Sequence, residues 1–578
     1  MKRTKKSKGK QEKPIKVQQV NKTAELQPTQ TGNKCIPAAV GAAIIIFGLN
    51  YFFMFSSDFK TLNENAYNLS LFVSIAVSLS AIAGICYGKN KTFQSVLKYV
   101  FALLLLFQII PQSLLFIDTS EFGANFATHI VMLQKFLLIP LAALGVILLW
   151  VLRKKNITEP NTIKSQNLAL KTIFSKPGKQ TFSASIAFII ILGISAGAVF
   201  HKLDYFSLYS DEAQVTHAAV GFAKSGEFKK WDFVKDEISD RTYTRAWPHI
   251  AVMGYTYRLF GISDWTSRLP SAVFGLLLTV LGFFITRFFT KSTLTALIVM
   301  LSFGLYFEFL LLTRWARMYA MIFPLFLLML YFGYRIFTEP LTTKEKISGK
   351  LGRFFNEYLN FNYKLLPVFL ILLFINISLH NNTAIALPIL YLFLIISGLI
   401  YREKKFIIPV LIGLLIIISH LISPFLFGYG HITAFEIDNS DIYNRFFLGY
   451  PFNVEAGMAL LIMGLTYFFF RKNKALNNAY ILLYTATVFS WILFAYIIDF
   501  SISFRYMSMV APFCVILLIG LFLQISKDIF GKKVQYAAAL SVVGLIILNL
   551  SVRSNNLYVR NYVSPADPAM AWKKITKN

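Results

Sequence analysis

Asp211 and Glu212 stand side by side in LYSDEAQVTHAAVGFAKSGEFKKW, a few residues after an apolar segment ends. A carboxylate held in one direction can take the proton of a hydroxyl as that hydroxyl attacks, which is general-base chemistry. Arg314 and Arg317, in LLLTRWARMYAM, and Arg505 with Tyr506, in FSISFRYMSMVAPF, set guanidinium groups against apolar segments. A guanidinium matches phosphate oxygens two bonds at a time, so these positions suit a phosphate carried at a membrane surface. Each has an ordinary reading too. The arginines could be snorkelling anchors. Asp211 could be a helix N-cap with Gln214 completing a capping box. Glu212 could orient an acceptor or simply face water.

The histidines and acids give no metal ligand set. Seven histidines are present without an HExxH or HxxxH pair, and zinc needs three or four convergent ligands. His249 lies in the same polar interval as Asp211 and is a candidate for supporting it, as is Arg268 by capping or ion pairing. Glu436, Asp438 and Asp441 are closely spaced in HITAFEIDNSDIYNRFF and are where a divalent metal would bind if one were used. A polar loop is the default, and no metal or other cofactor is expected. The three cysteines, Cys35, Cys86 and Cys514, fall in or beside apolar segments without a CxxC, so neither a disulfide framework nor a zinc site is indicated.

These residues need elements to hold them, and composition says what kind. The 578-residue chain is 56% hydrophobic and 16% aromatic, with a mean hydropathy of +0.58. That much apolar surface predicts an all-α polytopic membrane protein. The net charge of +29 is placed for topology rather than for nucleic acid. Basic residues crowd the first 34 positions and the short loops between apolar runs, the positive-inside pattern. Residues 1–33 carry almost no large apolar side chain and are expected to be a disordered, basic cytoplasmic tail. A run of apolar segments follows, most near the roughly twenty residues a helix needs to cross a bilayer. The first four, near 36–55, 68–87, 96–116 and 131–152, form an N-terminal membrane module over 34–152. A basic cytoplasmic linker, 153–183, separates it from a second module over 184–552. That module's segments lie near 184–200, 269–288, 294–312, 318–337, 364–380, 384–400, 407–427, 453–470, 478–498, 506–526 and 534–551. About fifteen spans put the N-terminus inside and the tail 553–578 outside, at the cell (plasma) membrane. The polar interval 201–268 is then external, and its nine Lys/Arg balance nine Asp/Glu. Within it AQVTHAAVGFAK predicts a helix stopped at Ser225-Gly226.

The order of motifs in this interval resembles the GT-C superfamily of membrane glycosyltransferases. Asp211-Glu212, Ser225-Gly226-Glu227, Trp247-Pro248, Leu259-Phe260-Gly261 and Arg268-Leu269-Pro270-Ser271-Ala272 follow one another between two apolar segments. The series is similar to that of protein O-mannosyltransferases and the lipid A aminoarabinose transferase, glycosyltransferase families 39 and 83. The resemblance covers roughly 184–525. It implies a GT-C fold with a large external first loop in the catalytic module, and transfer of a sugar from a polyprenyl-phosphate donor to a hydroxyl of a protein, lipid or glycan, with inversion. It also implies Asp211 as general base, with Arg505 and Tyr506 in the donor-phosphate segment. The other reading is a transporter or lipid flippase for polyprenyl-linked glycans, with the acidic pair guarding an entrance. Intramembrane acids would favour it, and Glu308 is the clearest of few.

Overall fold

The computed structural model describes residues 91–109, 134, 137–139, 141–152, 179–204, 207–208, 210–339, 349–350, 362–402, 406–407, 410–411, 413–415, 447–448, 452–470, 474–497 and 508–561. The tail 1–33, the first two expected spans, Arg505 and Tyr506, and the acidic trio Glu436, Asp438 and Asp441 lie outside them.

Helices dominate. They are α1 (Lys91–Ile109), α2 (Lys179–Phe200), α3 (Ser210–Ser225), α4 (Trp247–Phe260), α5 (Asp264–Thr290), α6 (Thr293–Leu305), α7 (Phe307–Thr313), α8 (Tyr319–Thr338), α9 (Leu366–Leu379), α10 (Ala386–Tyr401), α11 (Val454–Phe470), α12 (Lys474–Tyr484), α13 (Ala511–Phe530) and α14 (Lys532–Asn561). Among the described residues seven helical segments are long and apolar enough to cross a membrane, or eight if the bent pair α6–α7 is one span. The chain is thus a multi-pass membrane protein. The count of about fifteen reaches into segments outside the described residues. α13 is the axis of the bundle. Nearly every residue from Ala511 to Ile525 is buried, so an all-round apolar sequence is matched by all-round packing. Phe101 of α1 stacks on Phe530 at 6.0 Å, and Gln108 of α1 accepts from Asn453 at 3.4 Å. α1 is therefore packed against the end of α13 and the residue that precedes α11.

Four boundaries differ from the sequence reading. The interval 201–268 is not wholly helix and loop. It holds an antiparallel hairpin, β1 (Lys229–Asp232) with β2 (Glu237–Thr242). Asp232 Oδ1 accepts from the backbone N–H groups of Val234 and Lys235 at 2.9 and 3.3 Å, and Asp236 takes φ 52°. An aspartate turn thus reverses what reads as a charged run. α5 starts at Asp264, ahead of the expected Arg-Leu-Pro start. Ser263 caps it, with Thr266 completing a reciprocal box, so Arg268 lies inside the helix. The expected single span 294–312 is broken, with α6 and α7 bent by 55°. Tyr306 is extended at the break, and the Phe307 N–H that it exposes donates to Asn549 Oδ1 of α14 at 3.3 Å. α14 runs past 552 to Asn561, since no proline interrupts it.

Candidate active site

Four helix ends meet at one end of the bundle: the C-termini of α2 and α9 and the N-termini of α5 and α8. Over them sits a small layer of α3, the hairpin and α4. Its core is Val215, Ala218, Ala219, Ile250, Met253 and Tyr257, closed from below by Ala316. Small residues set the distance between α3 and α4. A side chain on Gly254 would meet Phe222 and the Ala219 carbonyl oxygen, the latter at 3.1 Å. The glycines ending α3 and α4, Gly226 and Gly261, take φ 82° and 80°. Their N–H groups close on the Phe222 and Tyr257 carbonyls at 2.9 Å each. This is a helix stop that a side chain would strain.

Glu212 anchors the layer to the spans. It is buried and accepts Arg268 Nε and Nη2 at 3.0 and 2.9 Å and the Ala316 N–H at 2.7 Å. Arg268 also donates to the carbonyls of Leu203 and Ser207 at 3.0 and 3.2 Å. The pair ties together α3, α5, the segment after α2 and the turn before α8. Glu212 therefore neither faces water nor stands open to an acceptor. Its neighbour on the sequence turns the other way, because successive helical residues point about 100° apart.

Asp211 lies in the first turn of α3, which begins at Ser210 rather than after Asp211. A carboxylate there still meets the positive end of the helix. Its side chain is 32% exposed, and Oδ2 is 3.7 Å from Arg317 Nη2, on a guanidinium only 8% exposed. Arg317 Nη1 donates to the Asp211 carbonyl at 2.9 Å. The guanidinium also lies 5.9 Å from the Tyr319 ring. Arg317 is thus fixed beneath an open carboxylate, and its Nε has no partner among the described residues.

Arg314 is placed differently from Arg317. Its Nη1 donates to the carbonyls of Ala198, Val199 and His201 at 2.9, 3.1 and 2.8 Å, and its Nη2 to Lys202 at 2.9 Å. It caps the C-terminus of α2, where carbonyls lack helical partners. That occupies the guanidinium which sequence reading directs to a phosphate. The spacing of Arg314 and Arg317 gives no warning. They lie in the non-helical turn between α7 and α8 and diverge.

His249 is fully buried on α4, beside the Ala316 backbone. Burial first, then the Arg317 charge, hold its pKa down to about 3, against a smaller opposing pull from the Ala316 backbone. His380, at the end of α9, was not singled out by its sequence. Burial, then Arg245 and Arg317, lower it to about 4, and its ring lies 6.4 Å from that of Tyr319. A histidine in HNNT between two apolar runs carries no signal of its own; the fold brings it to Arg317. Among the described residues no three His, Cys, Asp or Glu side chains converge as a metal set.

The fold is similar to two crystal structures of ArnT from Cupriavidus metallidurans. One is in the apo state, with 16% identity, 68% of each chain covered and a TM-score of 0.42. The other is bound to undecaprenyl phosphate, with 16% identity, 67% of this chain and 75% of that chain covered, and a TM-score of 0.39. No family model matches the chain, and no curated protein matches it.

Proposed function

We propose that the chain is an integral-membrane glycosyltransferase that moves a sugar from a polyprenyl-phosphate-linked donor to an acceptor hydroxyl at the outer face. One observation carries the reading. A partly open carboxylate, Asp211, stands 3.7 Å from the buried guanidinium of Arg317, where four helix ends meet. A lipid-linked donor brings its own activated sugar to such a site, and its phosphate sits at the bilayer surface. Asp211 takes the proton of the attacking hydroxyl. Arg317 stabilises the charge that gathers on the leaving polyprenyl phosphate, together with Arg505 and Tyr506 by the family resemblance. Attack from the side opposite the phosphate inverts the anomeric carbon. Glu212 and Arg268 position the base without touching substrate, and Arg314 holds the end of α2. The acceptor is a glycan, lipid or protein.

The test is transfer by the purified chain in lipid nanodiscs, with a panel of polyprenyl-phosphate sugars and hydroxyl acceptors, with and without EDTA. Transfer from at least one donor, undiminished by EDTA, is expected. Loss on chelation with recovery on Mn²⁺ or Mg²⁺ would bring Glu436, Asp438 and Asp441 into the site. Donor translocation across a sealed vesicle without any transfer would favour the flippase.

A further inference from the structure

The turn that carries Ala316 and Arg317 stands on α7, and α7 stands on a break in its span. A continuous helix would bond the Phe307 N–H to the Phe303 carbonyl, four residues back. Tyr306 instead takes φ −66° and ψ 129°, and α7 leaves α6 at 55°. The Phe307 N–H is thereby left without a helical partner. Inside a membrane no water replaces it, so such a break persists only where protein supplies an acceptor.

Asn549 supplies it, with Oδ1 accepting from the Phe307 N–H at 3.3 Å. On α14 Leu540 and Ile547 are exposed, while Ala539, Val542, Ile546 and Asn549 are buried. Those four recur at the three- and four-residue spacing of one helix face. An asparagine thus takes the place of an apolar residue where the buried face of α14 meets the break. Just before the break, a Cβ on Gly304 would lie 2.6 Å from the Ser195 Cβ of α2, so α6 is fixed there against α2. Glu308, an acid within a span, belongs to the same arrangement. It lies in the first turn of α7, at the end of a helix that favours negative charge.

The bend decides where the far end of α7 goes. A Cβ on Gly275 of α5 would lie 2.6 Å from the Cβ of Thr313, the last residue of α7, so α7 ends directly on the α5 backbone. Beyond it, Ser271 Oγ donates to the Arg317 carbonyl at 3.3 Å, and the Ala316 N–H donates to Glu212 at 2.7 Å. The seven residues of α7 make about 10.5 Å of helix. Straightening the 55° bend would swing its far end by about 10 Å. That is well beyond the 3.7 Å between Asp211 and Arg317.

We propose that Asn549 is a positioning residue of the site. By accepting the Phe307 N–H it holds the α6–α7 break open, and the break sets Arg317 beneath Asp211. The role rests on the reading of Asp211 and Arg317 as the transfer site; the bend itself does not.

The test is a double-mutant cycle in nanodiscs. Asn549→Leu removes the acceptor. Phe307→Pro removes the N–H, and its backbone suits the broken form: the residue before a proline is extended, as Tyr306 already is, and proline is favoured at the first helical position. Phe307→Ala controls for the lost ring. Asn549→Leu should lower the melting temperature in the parent and in the Phe307→Ala background, and leave it unchanged in the Phe307→Pro background. Transfer should follow. Asn549→Leu should lower kcat/KM for the donor roughly ten- to a hundred-fold, the worth of a lost charge-assisted bond from Arg317, with the acceptor KM held, and Phe307→Pro should restore it. A general loss of fold would neither spare the acceptor KM nor be reversed by removing a second group. Parental melting and transfer in Asn549→Leu would overturn the proposal. So would an equal loss in all three backgrounds, or a Phe307→Pro variant that melts below Phe307→Ala. Coupled melting in a parent that transfers from no donor would sink the transfer reading, and with it the role of Asn549 in positioning, while the cap on the break would stand.

Discussion

Asp211→Asn and Glu212→Gln each remove one charge at adjacent positions, and the geometry assigns them opposite consequences. Asparagine keeps a polar side chain in the first turn of α3 but accepts no proton from a hydroxyl. Asp211→Asn should insert and fold, losing about 1–2 kcal/mol with the helix-end charge and the pair to Arg317, and transfer should fall on the order of 10²–10⁴-fold. Near-parental transfer would leave Asp211 a helix-end residue. Glu212→Gln leaves Arg268 buried without its counter-charge, a loss of about 3–5 kcal/mol for pairs of this kind. Its melting temperature should fall sharply before any kinetic question arises. A stable, inactive Glu212→Gln would instead put Glu212 in the chemistry. The two histidines give the site a pH dependence. Folded pKa values of about 3 for His249 and about 4 for His380 lie below the unfolded value near 6.5. Between them the unfolded chain binds more protons, so stability is full above about pH 6.5 and falls as pH drops. At pH 5 each costs on the order of 2 kcal/mol. Melting should be lower at pH 5 than at pH 7, and His249→Gln should narrow the difference. Identical melting at both pH values would contradict this account of their burial.

Among elements, the α3–α4 crossing decides whether the layer can hold Asp211 over Arg317. A side chain at Gly254 is opposed by the Ala219 carbonyl, which is backbone and cannot rotate away, whereas one at Gly193 of α2 meets nothing within 4 Å. Gly254→Leu should therefore cost about 1–3 kcal/mol by overpacking and reduce transfer as α4 shifts. Gly193→Leu should leave both unchanged. Equal behaviour of the two variants, read by thermal melting and transfer rate, would remove the crossing from the positioning of the site.

For the whole molecule, the alternation of basic and neutral loops sets an expected orientation. Reporter fusions after Lys155, Ser225 and Asn578 should read inside, outside and outside. An inside signal after Ser225 would place the Asp211 layer on the face where sugar nucleotides are available, and a lipid-linked donor would lose its rationale.

Composition and spacing were enough to establish a helical membrane chain, the principal spans around the site and the polar interval carrying Asp211. They also marked the glycine stop at Gly226. These follow from local causes: apolar length, charge alternation and a residue that tolerates positive φ. The hairpin was legible in principle, through Asp232 and Asp236, but its charges concealed it. Other features depend on partners far along the chain, and no local pattern encodes them. Glu212 turns inward because Arg268 and the Ala316 N–H wait there, 56 and 104 residues away. Arg314 is drawn to the end of α2 and Arg317 to Asp211, although only two residues lie between them. The break at Tyr306 exposes a backbone N–H that Asn549 satisfies from 242 residues away. The sequence by itself determined that the chain is helical and crosses the membrane several times. Only the tertiary structure decided which of two adjacent carboxylates opens to the outside, because a buried charge must go where its counter-charge and donors are.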